Sequence, residues 1–355
     1  MIRYCKTRDD VSIAFSVEGK GPPLVLVGGS ANIEDRPSVF DAYRVAYRRF
    51  HTVIRYCMRG SGLSDRPDVD YALDDYVLDL EAVVDAIGLK RFDLFGETTG
   101  GCVAIAYAAR HPGRVAHLAV LGTPARSLAA RNPRPQVVEL RKAMVDAMRA
   151  GWDHGPEAFR QIWISQMAPG ASRQQIRDLC EVYAATFRGV DAVRFVEATS
   201  NMDVSFMAAR VSCPVLVAHS RCDALIPFDE ARMLAGLIPG AQLFPFDSPN
   251  RFPLPDEPAF DALHSELQRH FSSAAPQGGD GSEFETLSMR DRRILDLIAQ
   301  GLDNHQIAAR LDRSEKTIRN AVSAILDAVG AESRAQLIIR SRAEGFGLNG
   351  HDLSR

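Results

Sequence analysis

The chain has few cysteines, and their spacing suggests no bonded arrangement. Six cysteines are scattered over 355 residues, with no Cys-x-x-Cys pair and no dense cluster. The absence of such spacing argues against a disulfide framework and against a zinc site. We therefore expect reduced thiols, no metal and no cofactor.

Long apolar runs are also missing. No stretch approaches the roughly 18 apolar residues that a membrane-spanning helix needs, and residues 1–6 lead into charged residues without the apolar core of a signal peptide. Charged residues make up 25% and hydrophobic residues 46% of the chain, which argues against wholesale disorder. We expect a cytoplasmic protein with no membrane partner.

The pattern of apolar residues changes along the chain. From about residue 10 to 125, short apolar runs alternate with longer amphipathic segments, which is typical of βαβ units and a mainly parallel sheet. Residues 126–207 are helical in composition and predict an inserted cap. Strand-like runs return at residues 214–218 and 242–246. We place the first domain at residues 1–272.

The last part of the chain has a different character. Residues 273–284 are rich in glycine and small residues, and we expect a flexible linker there. Residues 285–345 contain four short segments of helical pattern, each bounded by a capping or stop signal, such as Ser314 and Gly330 for the third. These signals predict a small all-α domain followed by a tail at residues 346–355.

The run GETTGG at residues 96–101 is the most informative motif. A strand-like segment precedes it and a helix of small residues follows it, which is the context of a GxSxG nucleophile elbow with Thr98 at the serine position. With the RGSGLS run at residues 59–64 and the strand leading to Asp223, the motif resembles the α/β-hydrolase superfamily over about residues 5–272. That resemblance implies an α/β fold with a doubly wound, mainly parallel sheet and a helical cap. Cys57 departs from the aspartate that is usual in this family.

The resemblance also implies three catalytic roles, and only one of them is filled as usual. Asp223 stands at the acid position, but Thr98 stands at the nucleophile position and Arg251 at the base position. A guanidinium is always protonated near neutral pH, so Arg251 cannot accept a proton. We therefore predict that Arg251 forms an ion pair with Asp223 and that the domain is a pseudo-hydrolase.

The resemblance further implies that backbone amides of Ser30 and Thr99 stand at the oxyanion positions. We predict a pocket for a small molecule, formed by Gly29, Ser30, Thr98, Thr99, Asp223 and Arg251. Two alternatives stay open. The domain could be an active ester or amide hydrolase that uses Thr98, or a pocketless domain for protein contact.

The segments 287–295, 299–308 and 314–320 resemble the LuxR-type helix-turn-helix family over about residues 285–345. Family pattern would place lysine at His305 and histidine at Ala321. Residues 286–343 carry ten Arg and Lys against seven Asp and Glu, so the module is basic on an acidic chain. We expect a homodimer that binds double-stranded DNA through Asn304, Ser314, Lys316, Thr317, Arg319, Asn320 and Ser323.

Overall fold

A computed structural model describes residues 1–28, 39–273, 287, 289–311, 313–331, 333–343 and 346. The chain divides into two compact units, Met1–Pro276 and Gln277–Arg355, each with its own hydrophobic core. The division falls inside the segment predicted as a linker. Apart from Ser273 that segment lies outside the described residues, as does the predicted tail apart from Phe346.

The first unit is built on one sheet of eight strands in the order β1-β2-β4-β3-β5-β6-β7-β8. β1 and β2 are antiparallel to their neighbours, and the remaining pairs are parallel. This confirms the predicted mainly parallel sheet. The strands are β1 (Ile2–Lys6), β2 (Ser12–Gly19), β3 (Pro23–Val27), β4 (Thr52–Tyr56), β5 (Phe92–Glu97), β6 (Val115–Leu121), β7 (Val215–Ser220) and β8 (Gln242–Phe246).

The central strands are apolar because helices cover both faces of the sheet. β5, β6 and β7 are buried along nearly their whole length, as expected for strands enclosed on two sides. The helices that flank the sheet are α1 (Phe40–Arg48), α2 (Leu73–Ile87), α3 (Thr99–Arg110), α9 (Phe228–Leu237) and α10 (Pro258–Ser272).

A helical insertion lies between β6 and β7, where the sequence predicts the cap. Its helices are α4 (Pro135–Gly151), α5 (Ala158–Met167), α6 (Arg173–Thr186), α7 (Gly189–Asn201) and the short α8 (Ser205–Ala208). Apolar residues of α4 to α7 share one buried cluster with residues of β3, β5, β6 and β7. Residues of α4, α5 and α7 also line one cavity with Glu97 and Thr98, so the cap covers the end of β5.

The second unit is a small helical domain, as predicted. Its helices are α11 (Met289–Ala299), α12 (Asn304–Arg310), α13 (Glu315–Ala328) and α14 (Arg334–Ala343). The side chain of Asp303 accepts a hydrogen bond from the amide of Gln306 at 2.8 Å, which caps α12. The Ser314 hydroxyl accepts one from the amide of Thr317 at 3.1 Å and caps α13. Over both units, no helix in the described part of the chain is long and apolar enough to cross a membrane.

Candidate ligand site and nucleic-acid interface

Thr98 lies in a strained turn between β5 and α3. Its backbone has φ 53° and ψ −110°, an outlying conformation for a β-branched residue. The turn is tight, since a Cβ at Gly100 would lie 1.9 Å from the carbonyl oxygen of Val27. Strain of this kind costs on the order of 1–3 kcal/mol and persists where the surrounding fold imposes it.

The two threonines of the elbow differ in their contacts. Thr99 begins α3, so its amide has no acceptor within the helix, and its hydroxyl lies 2.8 Å from that of Thr199 on α7. Thr98 lines the cavity under the cap, and its hydroxyl forms no hydrogen bond with any other described residue. Both residues can therefore present polar groups to a ligand.

Asp223 and Arg251 meet at the ends of two neighbouring strands. Asp223 follows β7 and Arg251 follows β8. The guanidinium donates from Nε to Oδ2 at 2.9 Å and from Nη2 to Oδ1 at 3.3 Å. The exposed fraction of the two side chains is 0% for Asp223 and 7% for Arg251. The predicted ion pair is confirmed.

The carboxylate of Asp223 is held in its ionised form. Burial alone would raise its pKa, but the charge and hydrogen bonds of Arg251 keep the pKa below its usual value. The amides of Leu225 and Ile226 add hydrogen bonds to Oδ1, at 2.8 and 3.0 Å. Arg251 and two backbone amides thus supply the hydrogen bonds to the Asp223 carboxylate.

Two histidines of the first unit, His219 and His264, donate hydrogen bonds to backbone carbonyls. His219 on β7 is fully buried, shares a hydrogen bond with the carbonyl of Ile226 at 2.9 Å, and has its pKa lowered by that burial. His264 on α10 bonds to the carbonyl of Phe260 at 2.7 Å. None of the described residues that line the cavity is a histidine.

The cavity between the elbow and the cap has a volume of about 250 Å³. This volume lies just below the range of about 300–1,000 Å³ that is typical of small-molecule sites, so the cavity suits a small ligand. Its polar described lining residues are Glu97, Thr98, Thr99, Arg131, Arg141, Gln166, Tyr183, Thr199, Ser200 and Arg251, and its apolar ones are Leu121, Pro124, Leu128, Val137, Leu140, Trp163, Met167, Phe195, Val196, Ala224, Leu225, Ile226 and Phe252.

Both tryptophans of the chain lie in the cap. The rings of Trp152 and Trp163 pack edge to face with centroids 5.8 Å apart. The indole of Trp152 donates to the carbonyl of Phe187 at 2.9 Å, while Trp163 lines the cavity. A ligand in the cavity would therefore touch one of the two indoles.

The structure brings together part of the predicted pocket and adds to it. Thr98, Thr99 and Arg251 line the cavity, and Asp223 lies behind Arg251 as its partner. Gly29 and Ser30 lie outside the described residues. The sequence did not indicate Arg131 or Arg141 as pocket residues, because arginines in an amphipathic helical region are typical of a solvated face.

The predicted DNA-reading face is exposed on α13. Its side chains Lys316, Arg319, Asn320 and Ser323 are all exposed, whereas Ile318, Val322 and Ile325 are buried on the opposite side. Arg319 donates to Glu315 at 3.0 Å, one turn earlier. Thr317 and Ser314 share a hydrogen bond of 2.7 Å at the beginning of the helix.

Asn304 differs from the other residues predicted to bind DNA. It begins α12, is only partly exposed, and its side-chain oxygen accepts a hydrogen bond from Arg334 at 2.9 Å. Arg334 also donates to the carbonyl of Leu302. Asn304 therefore helps to join α12 to α14 within the second unit.

Fold and site together define an α/β-hydrolase-type unit with a cap, followed by a helix-turn-helix unit. The family sequence model of the alpha/beta hydrolase fold matches residues 23–258. The family sequence model of the luxR family of bacterial regulatory proteins matches residues 285–341. The chain belongs to the α/β-hydrolase fold family and carries a C-terminal DNA-binding domain of the luxR family.

Several named proteins are similar to the first unit. The chain is 28% identical over 238 residues to pyrrolizixenacetamide deacetylase of Xenorhabdus hominickii, covering 66% of this chain and 85% of that protein. It is 28% identical over 241 residues to 2-hydroxy-6-oxo-2,4-heptadienoate hydrolase of Pseudomonas putida, covering 64% and 82%.

A solved structure supports the same fold. The esterase from Exiguobacterium antarcticum superposes with a TM-score of 0.66 at 18% identity, covering 77% of this chain and 100% of the esterase. At this level of identity the likeness shows a shared fold.

Proposed function

We propose that this protein is a dimeric transcriptional regulator whose α/β-hydrolase domain senses a small molecule and does not catalyse hydrolysis. The observation that carries the proposal is the two-bond ion pair of Arg251 with Asp223. Hydrolysis in this fold requires a base that takes the nucleophile's proton, and the acid serves to orient that base. A guanidinium has no atom that can accept a proton. With Arg251 bound to it, Asp223 therefore orients no base.

The cavity supports binding in place of catalysis. It is enclosed by the cap and lined largely by apolar and aromatic side chains, with Thr98 and Thr99 offering hydrogen-bonding groups at one side. Pockets of this composition bind small organic molecules. Its presence argues against a pocketless domain that only contacts proteins.

Sensing requires that the ligand prefers one of two arrangements of the protein, because equal affinity for both shifts no equilibrium. We expect that small metabolites which raise the melting temperature of the full-length protein also change its affinity for DNA. The DNA would be selected by the protein from a random pool, and affinity would be measured with and without each metabolite. A ligand that stabilises the protein while its DNA affinity stays constant would contradict the regulatory part of the proposal.

The DNA-binding face gives a prediction of its own. Arg319→Ala should cost about 1–3 kcal/mol on the selected DNA and relax preference at one base position, because an arginine on this face reads a base edge. Lys316→Ala should weaken binding to all DNA sequences alike, because a phosphate contact carries no sequence information. It should also lower the slope of log affinity against log salt concentration by about 1. Both are measured by titration at several salt concentrations.

The matched pair of variants tests the assignment of roles, since both residues are exposed on α13. Equal losses of specific and non-specific binding in Arg319→Ala would show that the reading face is assigned wrongly. Dimerisation would place two such helices on half-sites about one helical turn apart, so the selected DNA should be an approximate inverted repeat.

The relatives favour a second candidate function. Two of them are named as a deacetylase and a hydrolase, and Thr98 lines the cavity together with Glu97, the one acidic side chain among the described lining residues. A bifunctional regulator would then hydrolyse an ester or amide with Thr98. Turnover of p-nitrophenyl acetate by the natural protein that disappears in Thr98→Ala would establish this candidate.

A further inference from the structure

Arg141 of α4 is held in the cavity wall by neutral groups. It is half-buried, and its Nη2 donates to the carbonyl of Val196 at 3.3 Å and to the Ser200 hydroxyl at 3.0 Å, both on α7. Its Nε is buried and has no acceptor among the described residues. A charged side chain with an unused donor is therefore fixed beside the cavity.

The charges that act on Arg141 have its own sign. Burial, followed by the cations Arg251 and Arg131, lowers its pKa to about 10. Arg251 is already neutralised by Asp223, and none of the described acidic side chains forms an ion pair with Arg141. The folded protein thus disfavours the charged form of Arg141.

Arg131 is the second cation of the cavity that lacks a carboxylate partner in the described part of the chain. It precedes α4, is half-buried, and its Nε donates to the carbonyl of Ser127 at a long 3.4 Å. Burial lowers its pKa, and the attraction of Glu230 opposes the shift. That carboxylate is bound by Arg126, whose Nη2 lies 2.5 Å from it.

The described lining residues carry more positive than negative charge. Arg131 and Arg141 bring two positive charges, Glu97 brings one negative charge, and the pair of Arg251 with Asp223 is neutral. This excess of positive charge among the described lining residues favours an anionic ligand. A half-buried charge without a partner is unfavourable, and an anion bound in the cavity would relieve this.

We propose that the cavity binds an organic monocarboxylate whose anionic group lies against Arg141 and Arg131. The guanidinium fork suits a carboxylate, with which it forms short, charge-assisted hydrogen bonds. The aromatic and apolar lining, including Trp163, Met167 and Phe195, would pack against an apolar body. The inference rests on the proposed sensing function and names its ligand class.

The experiment compares acids with their neutral counterparts on the full-length protein. Phenylacetate and octanoate are the acidic probes, and phenylacetamide and octanamide are the neutral ones, with affinity measured by calorimetry and by the shift in melting temperature. The acids should bind at least about tenfold more tightly than the amides, because charge-assisted hydrogen bonds to the two arginines are lost in the neutral molecules.

Substitutions locate the anion. Arg141→Met and, as a second variant, Arg131→Met should each lower the affinity for the acids about tenfold to a hundredfold and leave the affinity for the amides unchanged. Arg141→Met should not lower the melting temperature of the free protein, because it removes a disfavoured charge. Arg149→Met is the matched control, since Arg149 lies on the same helix but is exposed and paired with Asp146 and Glu197.

Each outcome decides between the two proposals. Amides that bind as tightly as the acids, Arg141→Met and Arg131→Met variants that keep full affinity for the acids, or a failure of every probe to bind would overturn the carboxylate site. Binding of the amides alone would overturn it while leaving a sensor of neutral molecules. Acid binding that depends on Arg141 but leaves DNA affinity unchanged would support the site and contradict the regulatory function.

Discussion

Replacing Thr98 by serine and Arg251 by histidine in one protein should produce esterase activity, whereas we expect none in the natural protein. Serine removes the β-branch of Thr98 from the strained turn, and histidine supplies the proton acceptor that a guanidinium cannot be. The position of Asp223 after β7 would then orient that histidine. The amide of Thr99 at the beginning of α3 remains available to an oxyanion.

The double variant should exceed the buffer blank by on the order of a hundredfold, the lower end of what a positioned general base contributes. Hydrolysis of p-nitrophenyl acetate is the measurement. Each single variant should stay near the blank, because nucleophile and base act as a unit. Adding Asp223→Asn to the double variant should remove most of the gain, and a double variant as inactive as the single ones would argue against a preserved catalytic scaffold.

Asp223→Asn in the natural protein should lower the free energy of unfolding by about 3–5 kcal/mol, because it leaves Arg251 as a buried cation without a counter-charge. Asparagine keeps the oxygen that accepts from the amides of Leu225 and Ile226. The loss therefore reports the contact with Arg251, which comprises both the counter-charge and the oxygen that accepts from Nε. Urea titration of the full-length protein, followed by circular dichroism, measures the effect in the transition of the larger unit.

Arg251→Met should be less destabilising, since two backbone amides would still stabilise the carboxylate of Asp223. The double variant with Asp223→Asn and Arg251→Met should recover most of the stability lost in Asp223→Asn, because no unpaired charge remains. A double variant as unstable as Asp223→Asn would show that the side chains act through packing and not through their charges.

Local patterns in the sequence predicted much of the fold. The run at residues 242–246 is β8 with the same bounds, because short apolar runs between turn signals are typical of strands. The pairing of Arg251 with Asp223 could also be predicted, since an acid in a cleft needs a partner. The strands are defined by local sequence, whereas the prediction of the ion pair depends on the family resemblance, which supplies the positions of both residues.

Other features depend on packing between distant segments, which local patterns do not contain. Arg141 reaches the cavity because α4 packs against α7, and Arg131 lies just before α4. In the sequence, both arginines are spaced as they would be on a solvent-exposed helix surface. The antiparallel hairpin of β1 and β2 is a further case, since its pairing with β4 joins residues about 40 positions apart. The contribution of Gly29 and Ser30 to the pocket stays a prediction.

The placement of both tryptophans in the cap gives the natural protein an internal optical reporter. Excitation of tryptophan reports only on Trp152 and Trp163, because the luxR-type domain contains none. Contact of a ligand with Trp163 should alter the emission directly, without any label. The same signal can be followed while DNA is added, and a change in cap fluorescence on DNA binding would measure communication from the reading helix back to the cavity.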